Sequence, residues 1–477
     1  MIERLIRWLS YSRSPVLGRL FGLPPLLVGY DPAVHEAIIR NAERAVYGRE
    51  GRGTYETRTS DELARLARRT LAQYRAQAAL YGSWWIRAAR GLLFGLALPL
   101  VVSVLIWRTL RNRSRRGRAP AAEVAVVVAA ERVRAMAAAV FEGMPLYFHA
   151  DRSMRFGVAE ARFLARTIRA CPAYLASPGL LLSVLRWLAR YGYVTTAHRP
   201  HVMVNFFEGT AASSLLTAYL HERDILHVNL MHGEMFYSAD CAFAEFDRFF
   251  VWGRHFEELF RRLGHDARRL AIAGSPDHRT LFREIREAEQ PRGNSVLLVH
   301  NSVVTRLDSP DMPALRRLLR LLPSGWNVRV RSHPAANTTL AGYVAALQAD
   351  PVVRENGLRI VPEPFEAISL PDALRRSRVV AGVYSTALLE GWVAGCKLVY
   401  LPGVIARDAV LPRHDGSPNV LYLDAAVSDA SVLDFLRTPA TLDTAEATRV
   451  DRLTQVLGPG ERFATSRAMR SVEPLIV

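Results

Sequence analysis

The chain has 477 residues, half of them hydrophobic, with a net charge of +17 and a pI near 10.4. At about 150 residues per domain that length suggests two or three domains with large cores. So basic a chain ordinarily raises nucleic acid or a membrane surface as a partner, but Lys397 is the only lysine and the other cations are arginine, in a chain crowded with alanine, leucine and valine. Such a bias follows high-GC codon usage, and no recognised nucleic-acid motif accompanies it, so no nucleic-acid partner is expected. Cys171, Cys241 and Cys396 are far apart, with no CxxC pair and no histidine cluster at zinc spacing, which excludes a structural zinc site and fits a reducing cytoplasm.

Residues 1–120 read as a helical, basic, membrane-associating region. Met1 to Tyr30 has no secretory design: Glu3, Arg4, Arg7, Arg13 and Arg19 interrupt an amphipathic pattern of Ile2, Leu5, Ile6, Trp8 and Leu9. A surface helix and an interfacial anchor explain it equally well. Gly91 to Trp107 holds no charge and is bracketed by Trp84, Trp85 and Trp107, with Arg87, Arg90 and the run Arg108, Arg111, Arg113, Arg115, Arg116, Arg118 on its flanks. A span wants about 20 apolar residues, and arginines on both sides resist translocation. The segment therefore reads as a re-entrant or interfacial element with both flanks cytoplasmic, the alternative being a buried helix. Residues 1–118 are expected to be separable from the rest and to hold the chain on the cytoplasmic side of the inner membrane, peripherally or monotopically.

From Ala121 the pattern becomes strand, helix, strand. Val124 to Val128, Val202 to Phe207, Ile225 to Met231, Arg248 to Trp252 and Leu270 to Ala273 read as strands, with a helix at Ala211 to Glu222. After the polar segment Glu289 to Asn294 the alternation restarts. Strands are expected at Ser295 to His300, Trp326 to Val330, Leu358 to Val361, Arg378 to Val383, Lys397 to Leu401 and Val420 to Leu423; helices at Pro313 to Leu322, Pro371 to Arg376 and Ser385 to Ala394. The fold class is α/β: two Rossmann-like domains, 121–290 and 291–477, facing a cleft with a hinge near residue 290.

Ligands of such sheets bind at the carboxyl ends of the strands, and several polar groups fall there. Phe207-Glu208-Gly209 closes one strand and His232-Gly233-Glu234 the next. These offer Glu208, His232 and Glu234 as candidates for the base that deprotonates an acceptor hydroxyl; Glu208 is equally placed to cap the following helix. In the second domain Arg331-Ser332-His333-Pro334 ends one strand, and Val383-Tyr384-Ser385-Thr386 leads from another into a helix carrying Glu390. A histidine and a helix N-terminus together suit a nucleotide phosphate, with Glu390 within reach of ribose hydroxyls. Gly274-Ser275-Pro276-Asp277 reads as a turn into the hinge. No DxD pair stands at a strand end, so neither a metal nor a bound cofactor beyond the nucleotide-linked donor is expected.

His232-Gly233, Trp252-Gly253, Gly274-x-Pro276, His333-Pro334 and Ser385-Thr386 with Glu390 and Gly395, in this order, resemble the GT-B glycosyltransferases of bacterial surface polysaccharides. The likeness is greatest to bacterial sialyltransferases and capsule Kdo transferases, and more distant to CDP-glycerol glycerophosphotransferases. It implies a GT-B fold and metal-independent transfer from a CMP-linked sugar, of Kdo or sialate type, to a glycan or glycolipid acceptor. His333, Pro334, Ser385 and Thr386 would then hold the cytidine phosphate. The acidic-acidic-Gly motif that carries the base in sialyltransferases corresponds to Phe207-Glu208-Gly209, with Phe207 in the first acidic slot and Glu234 as the alternative base. A CDP-polyol phosphotransferase and a non-catalytic membrane-bound assembly protein are the competing readings.

Overall fold

The structure is a computed structural model that describes residues 31–80, 122–127, 140–149, 153–206, 208–209, 212–231, 233–287, 293–300, 311–332, 340–383, 385–402 and 416–454, with a few isolated residues between. Twelve strands form two all-parallel sheets of six. The first holds β1 (Val124–Val126), β2 (Leu146–Phe148), β3 (Val202–Asn205), β4 (Leu226–Leu230), β5 (Arg248–Val251) and β6 (Leu270–Ile272), in the order β2-β1-β3-β4-β5-β6. The second holds β7 (Ser295–His300), β8 (Asn327–Ser332), β9 (Arg359–Glu363), β10 (Val379–Gly382), β11 (Lys397–Tyr400) and β12 (Val420–Tyr422), in the order β12-β11-β10-β7-β8-β9. The central strands β1, β3, β7, β10 and β11 are buried along their whole length. Parallel strands covered by helices on both faces read as continuous apolar runs, which is why the sequence marked them. The fold is α/β and GT-B-like.

In each sheet the strand order reverses once, between β1 and β3 in the first and between β7 and β10 in the second. Chains leaving neighbouring strands on opposite faces open a crevice at their carboxyl ends, and that is where ligands sit in open α/β sheets. Glu208 follows β3, and Ser385 and Thr386 follow β10.

The N-terminal region departs from the expectation of a separable unit. Helices Pro32–Tyr47 and Glu62–Leu80 pack against each other, and the second also packs against helices Val158–Ala170 and Ser213–His221 of the first domain. Leu66, Ala67 and Leu71 share an apolar cluster with Tyr174, Leu188, Met203 and Leu215. Leu215 N donates to Thr70 Oγ1 at 3.0 Å, and the Tyr174 hydroxyl donates to Ala67 O at 3.0 Å. Charge reinforces the union: Arg65 and Arg69 both reach the buried Glu245, at 2.5 and 3.1 Å. Burial would raise the Glu245 carboxyl, but Arg69, Arg65 and Arg269 bring it down to about 2. Over 31–80, then, the region is part of the first domain's core. Gly91 to Trp107 and the arginine run lie outside the described residues, save for isolated helical positions. Among the described residues no helix is long and apolar enough to cross a membrane.

His221 ties the same helix to the sheet, with Nδ1 2.9 Å from Glu62 and Nε2 2.8 Å from Asp247. Burial alone would lower its pKa, but the hydrogen bonds to Asp247 and Glu62 carry it up to about 10. A raised pKa means a contribution complete below the unfolded value near 6.5 and lost as pH rises through about 10. His221→Gln should therefore lower the denaturation midpoint at pH 6–7 and cost progressively less toward pH 10.5. An equal loss across that range in urea titrations would show that the ion pairs contribute nothing.

The second domain has its own core, in which Val296, Leu298, Val330, Ile360 and Val399 meet Leu315, Leu318 and Leu347 from the covering helices. A further cluster joins the two sheets, running from Phe249 and Trp252 to Leu297, Val380, Leu388 and Trp392. The helix Thr444–Thr454 returns to the first domain: Ser275 N donates to Thr454 O at 3.1 Å, and a Cβ on Gly253 would meet Arg452 O at 2.4 Å. Only a glycine lets these backbones touch.

Candidate active site

The turn after β3 is built from below by the N-terminal helix. Gln73 Nε2 donates to Glu208 O at 3.0 Å and to Asp240 O at 2.7 Å, while Gln77 Nε2 donates to Gly209 O. One buried amide thus ties the β3 turn to the 3-10 turn Ala239–Cys241. Asp240 is drawn in so closely that a Cβ on Gly209 would lie 3.1 Å from its Oδ2. Ser238 Oγ donates to the other carboxylate oxygen of Asp240 at 2.5 Å. Glu208 and Asp240, both buried, come together around Gly209. The helix Ser213–His221 has Ala212 as its N-cap residue.

After β4, Glu234 is buried as well, and its backbone N donates to Thr386 Oγ1 at 3.2 Å. A Cβ on Gly233 would stand 3.4 Å from the same hydroxyl. That contact crosses from the first sheet to the second, because Thr386 opens the helix Thr386–Val393 after β10. Ser385 is the N-cap, its Oγ accepting from Ala387 N at 3.2 Å. Capping thus accounts for the Ser385 hydroxyl, and the Thr386 hydroxyl joins the domains; the helix N-terminus itself follows β10, beside its sheet's reversal of strand order, with the end of the dipole that favours an anion.

Glu390 is on the second turn of this helix, buried, with Oε1 3.7 Å from His278 Nε2. Arg331 is buried and donates to Ile368 O at 2.8 Å, with Glu363 at 3.4 Å; burial pushes its pKa down against the pull of Glu363 and Glu390. His300, which ends β7 beside β10, is stacked on Tyr343 with centroids 4.0 Å apart, and burial pushes its pKa down to about 4, leaving it neutral at pH 7. His232, His333 and Pro334 lie outside the described residues. Of the expected site residues the structure brings Glu234, Ser385 and Thr386 together, sets Glu208 beside Asp240, and places Glu390 at the domain junction against His278. Gln73, Gln77, Trp252 and His278 were not legible as site residues. Gln73 and Gln77 had one available signal, two amides a turn apart on a helix made mostly of arginine, alanine and leucine. Among the described residues no group of His, Cys, Asp and Glu is arranged to hold a metal ion, and the three cysteines are buried and form no disulfide.

No protein-family model matches the chain, and no curated protein matches it in sequence. Among solved structures it is similar to a UDP-N-acetylglucosamine 2-epimerase from Rickettsia bellii, at 12% identity over 74% of this chain and 96% of that one with a TM-score of 0.45. It is also similar to the Neisseria meningitidis UDP-GlcNAc 2-epimerase bound to UDP-GlcNAc, at 8% identity over 73% and 97% with a TM-score of 0.42. A third is the lipopolysaccharide outer core galactosyltransferase WaaB, at 11% identity over 72% and 98% with a TM-score of 0.36. Likenesses of this grade say nothing of activity or substrate.

Proposed function

We propose that the protein is a metal-independent glycosyltransferase that moves a sugar from a cytidine-nucleotide donor, of CMP-Kdo or CMP-sialate type, to a surface polysaccharide or glycolipid acceptor. The observation that carries the reading is the contact of Glu234 N with Thr386 Oγ1, at 3.2 Å. It sets the carboxylate-bearing strand ends of one sheet against the helix N-terminus of the other, each near its sheet's reversal of strand order. In this reading the acceptor hydroxyl gives its proton to Glu208 or Glu234, with His232 nearby in sequence, as its oxygen bonds to the anomeric carbon. The bond from that carbon to the phosphate oxygen breaks, and the charge left on the nucleotide phosphate is met by His333 and the helix N-terminus at Ser385 and Thr386. Glu390 takes the ribose. Groups aimed at charge that develops only as the bond breaks favour the transition state over the bound donor.

Thermal shift of the full chain with CMP, CDP, UDP, GDP and ADP tests the donor class. A ligand at 100 times its Kd stabilises by about 2.7 kcal/mol, so CMP alone should raise the melting temperature by several degrees. Stabilisation by UDP instead would replace the cytidine donor with a uridine one. No response to any nucleotide would favour the non-catalytic assembly protein. Ser385→Ala should weaken the CMP response and cost about 1 kcal/mol of stability through the lost cap.

The reading places the enzyme at the cytoplasmic face of the inner membrane, where lipid-linked acceptors are built. Support comes from the basic N-terminal region and from the exposed arginines 162, 166 and 169 on helix Val158–Ala170. Such groups contribute about 1 kcal/mol each near an anionic surface. Failure of the protein to float with anionic liposomes at low salt would remove this part.

A further inference from the structure

Trp252, His278 and Glu390 meet where the two domains join. Trp252 directly follows β5, His278 lies on the helix Pro276–Glu287 that leaves the first domain, and Glu390 projects from the helix after β10. The indole packs edge-on against the imidazole, with centroids 4.7 Å apart and planes at 69°. All three residues are buried, His278 completely. Among the described residues neither nitrogen of the His278 ring has a hydrogen-bond partner, and neither has Trp252 Nε1. His278 Nε2 stops 3.7 Å from Glu390 Oε1, outside hydrogen-bond distance.

Buried polar groups are almost always satisfied, and one that is not calls for a physical reason, a functional role among them. Here a closure of roughly 1 Å would turn the His278–Glu390 approach into a hydrogen bond of ordinary length. The contact crosses the domain junction, so it reports how close the domains are.

We propose that His278 is a positioning residue for Glu390. In the nucleotide-bound state its imidazole donates from Nε2 to Oε1, fixing the carboxylate so that it accepts from the ribose hydroxyls. This rests on the reading of Glu390 as the ribose ligand. The hinge helix thereby acts on the donor site, and the ribose is gripped only when the domains have closed.

The test is calorimetric binding of the nucleotide selected by the thermal-shift panel, and of its 2′,3′-dideoxy analogue, to the full chain and to His278→Phe, His278→Asn, Glu390→Gln and the double variant His278→Phe/Glu390→Gln. Phenylalanine keeps the packing on Trp252 and removes both ring nitrogens; asparagine restores a donor. One charge-assisted hydrogen bond is worth on the order of tenfold in affinity, so the wild type should prefer the ribonucleotide by at least about that factor. The preference should fall toward unity in His278→Phe and in Glu390→Gln, fall no further in the double variant, and return in part in His278→Asn. A merely structural histidine would weaken both nucleotides alike and leave the preference intact. His278→Phe with the wild-type preference, alongside Glu390→Gln without it, would overturn the proposal while leaving the donor site standing. A Glu390→Gln that keeps the preference would overturn both the proposal and the ribose role, and a wild type that binds no nucleotide would remove the functional reading altogether. Should His278→Phe fail to fold by circular dichroism, His278→Asn and the Glu390→Gln/His278→Asn pair carry the same comparison, with additive losses of preference as the overturning result.

Discussion

A chain that starts at Ala121 is expected to be insoluble or unfolded, although the sequence pattern places the first strand of the alternating region just after that point. The truncation removes Leu66, Leu71 and Leu80, each at most 2% exposed. Burial of a leucine is worth about 1.5–3 kcal/mol. It also strips Arg65 and Arg69 from Glu245, and leaving one partner of a buried ion pair behind costs about 3–5 kcal/mol. The losses together approach the whole of a typical stability of about 5–15 kcal/mol. A buried acceptor and a buried donor vanish as well, leaving Leu215 N without the Thr70 hydroxyl and the Glu208 and Asp240 carbonyls without the Gln73 amide. Circular dichroism and thermal melting of the truncated chain provide the check, with residues 31–80 co-expressed as a separate piece expected to restore solubility. Cooperative melting of the truncated chain alone, near the full-length temperature, would show that these helices only decorate the domain.

This outcome also shows where the sequence was legible and where it was not. Parallel strands buried on both faces announce themselves as β-branched runs, and β7 was read at the bounds it has, Ser295–His300, with β3, β4, β5, β10 and β11 within two residues at each end. β2 carries no such run, because Leu146–Phe148 is short and aromatic rather than β-branched, and helices Val158–Ala170 and Pro178–His198 do not stand out between the strand signals. The N-terminal helix was misjudged for a different reason. Its surface is rich in arginine, and composition treats arginine as solvent-facing or membrane-facing, whereas Arg65 and Arg69 are drawn inward by Glu245, a residue some 180 positions away. Pairing at that separation leaves no local trace. The site divides in the same way: strand-end residues such as Glu208, Glu234 and Thr386 follow from the alternation, but the approach of Asp240 to Gly209 and of His278 to Glu390 depends on how loops and domains pack. His232, His333 and Pro334, read from the same strand-end logic, lie outside the described residues.

Glu208→Gln is expected to lower turnover on the order of 10²–10⁴-fold with nucleotide affinity nearly unchanged, because the amide keeps the shape of the side chain but cannot take the acceptor's proton. Glu208 is preferred to Glu234 on structural grounds. It follows β3, beside the point where the strand order reverses, and its turn is fixed through Gln73. Asp240 adds a second buried carboxylate beside Gly209, held by the Ser238 hydroxyl, and so takes part in fixing the same turn. Asp240→Asn should reduce turnover less, by loosening the turn that its carboxylate and Ser238 brace, and Glu234→Gln should change little if Glu234 acts through the backbone N that meets Thr386. Turnover and nucleotide affinity for the three amides discriminate these roles. A large loss confined to Glu234→Gln would transfer the base to that residue. Full turnover in all three would mean that no carboxylate of the first sheet takes the proton, and the transferase reading would then rest on the nucleotide site alone.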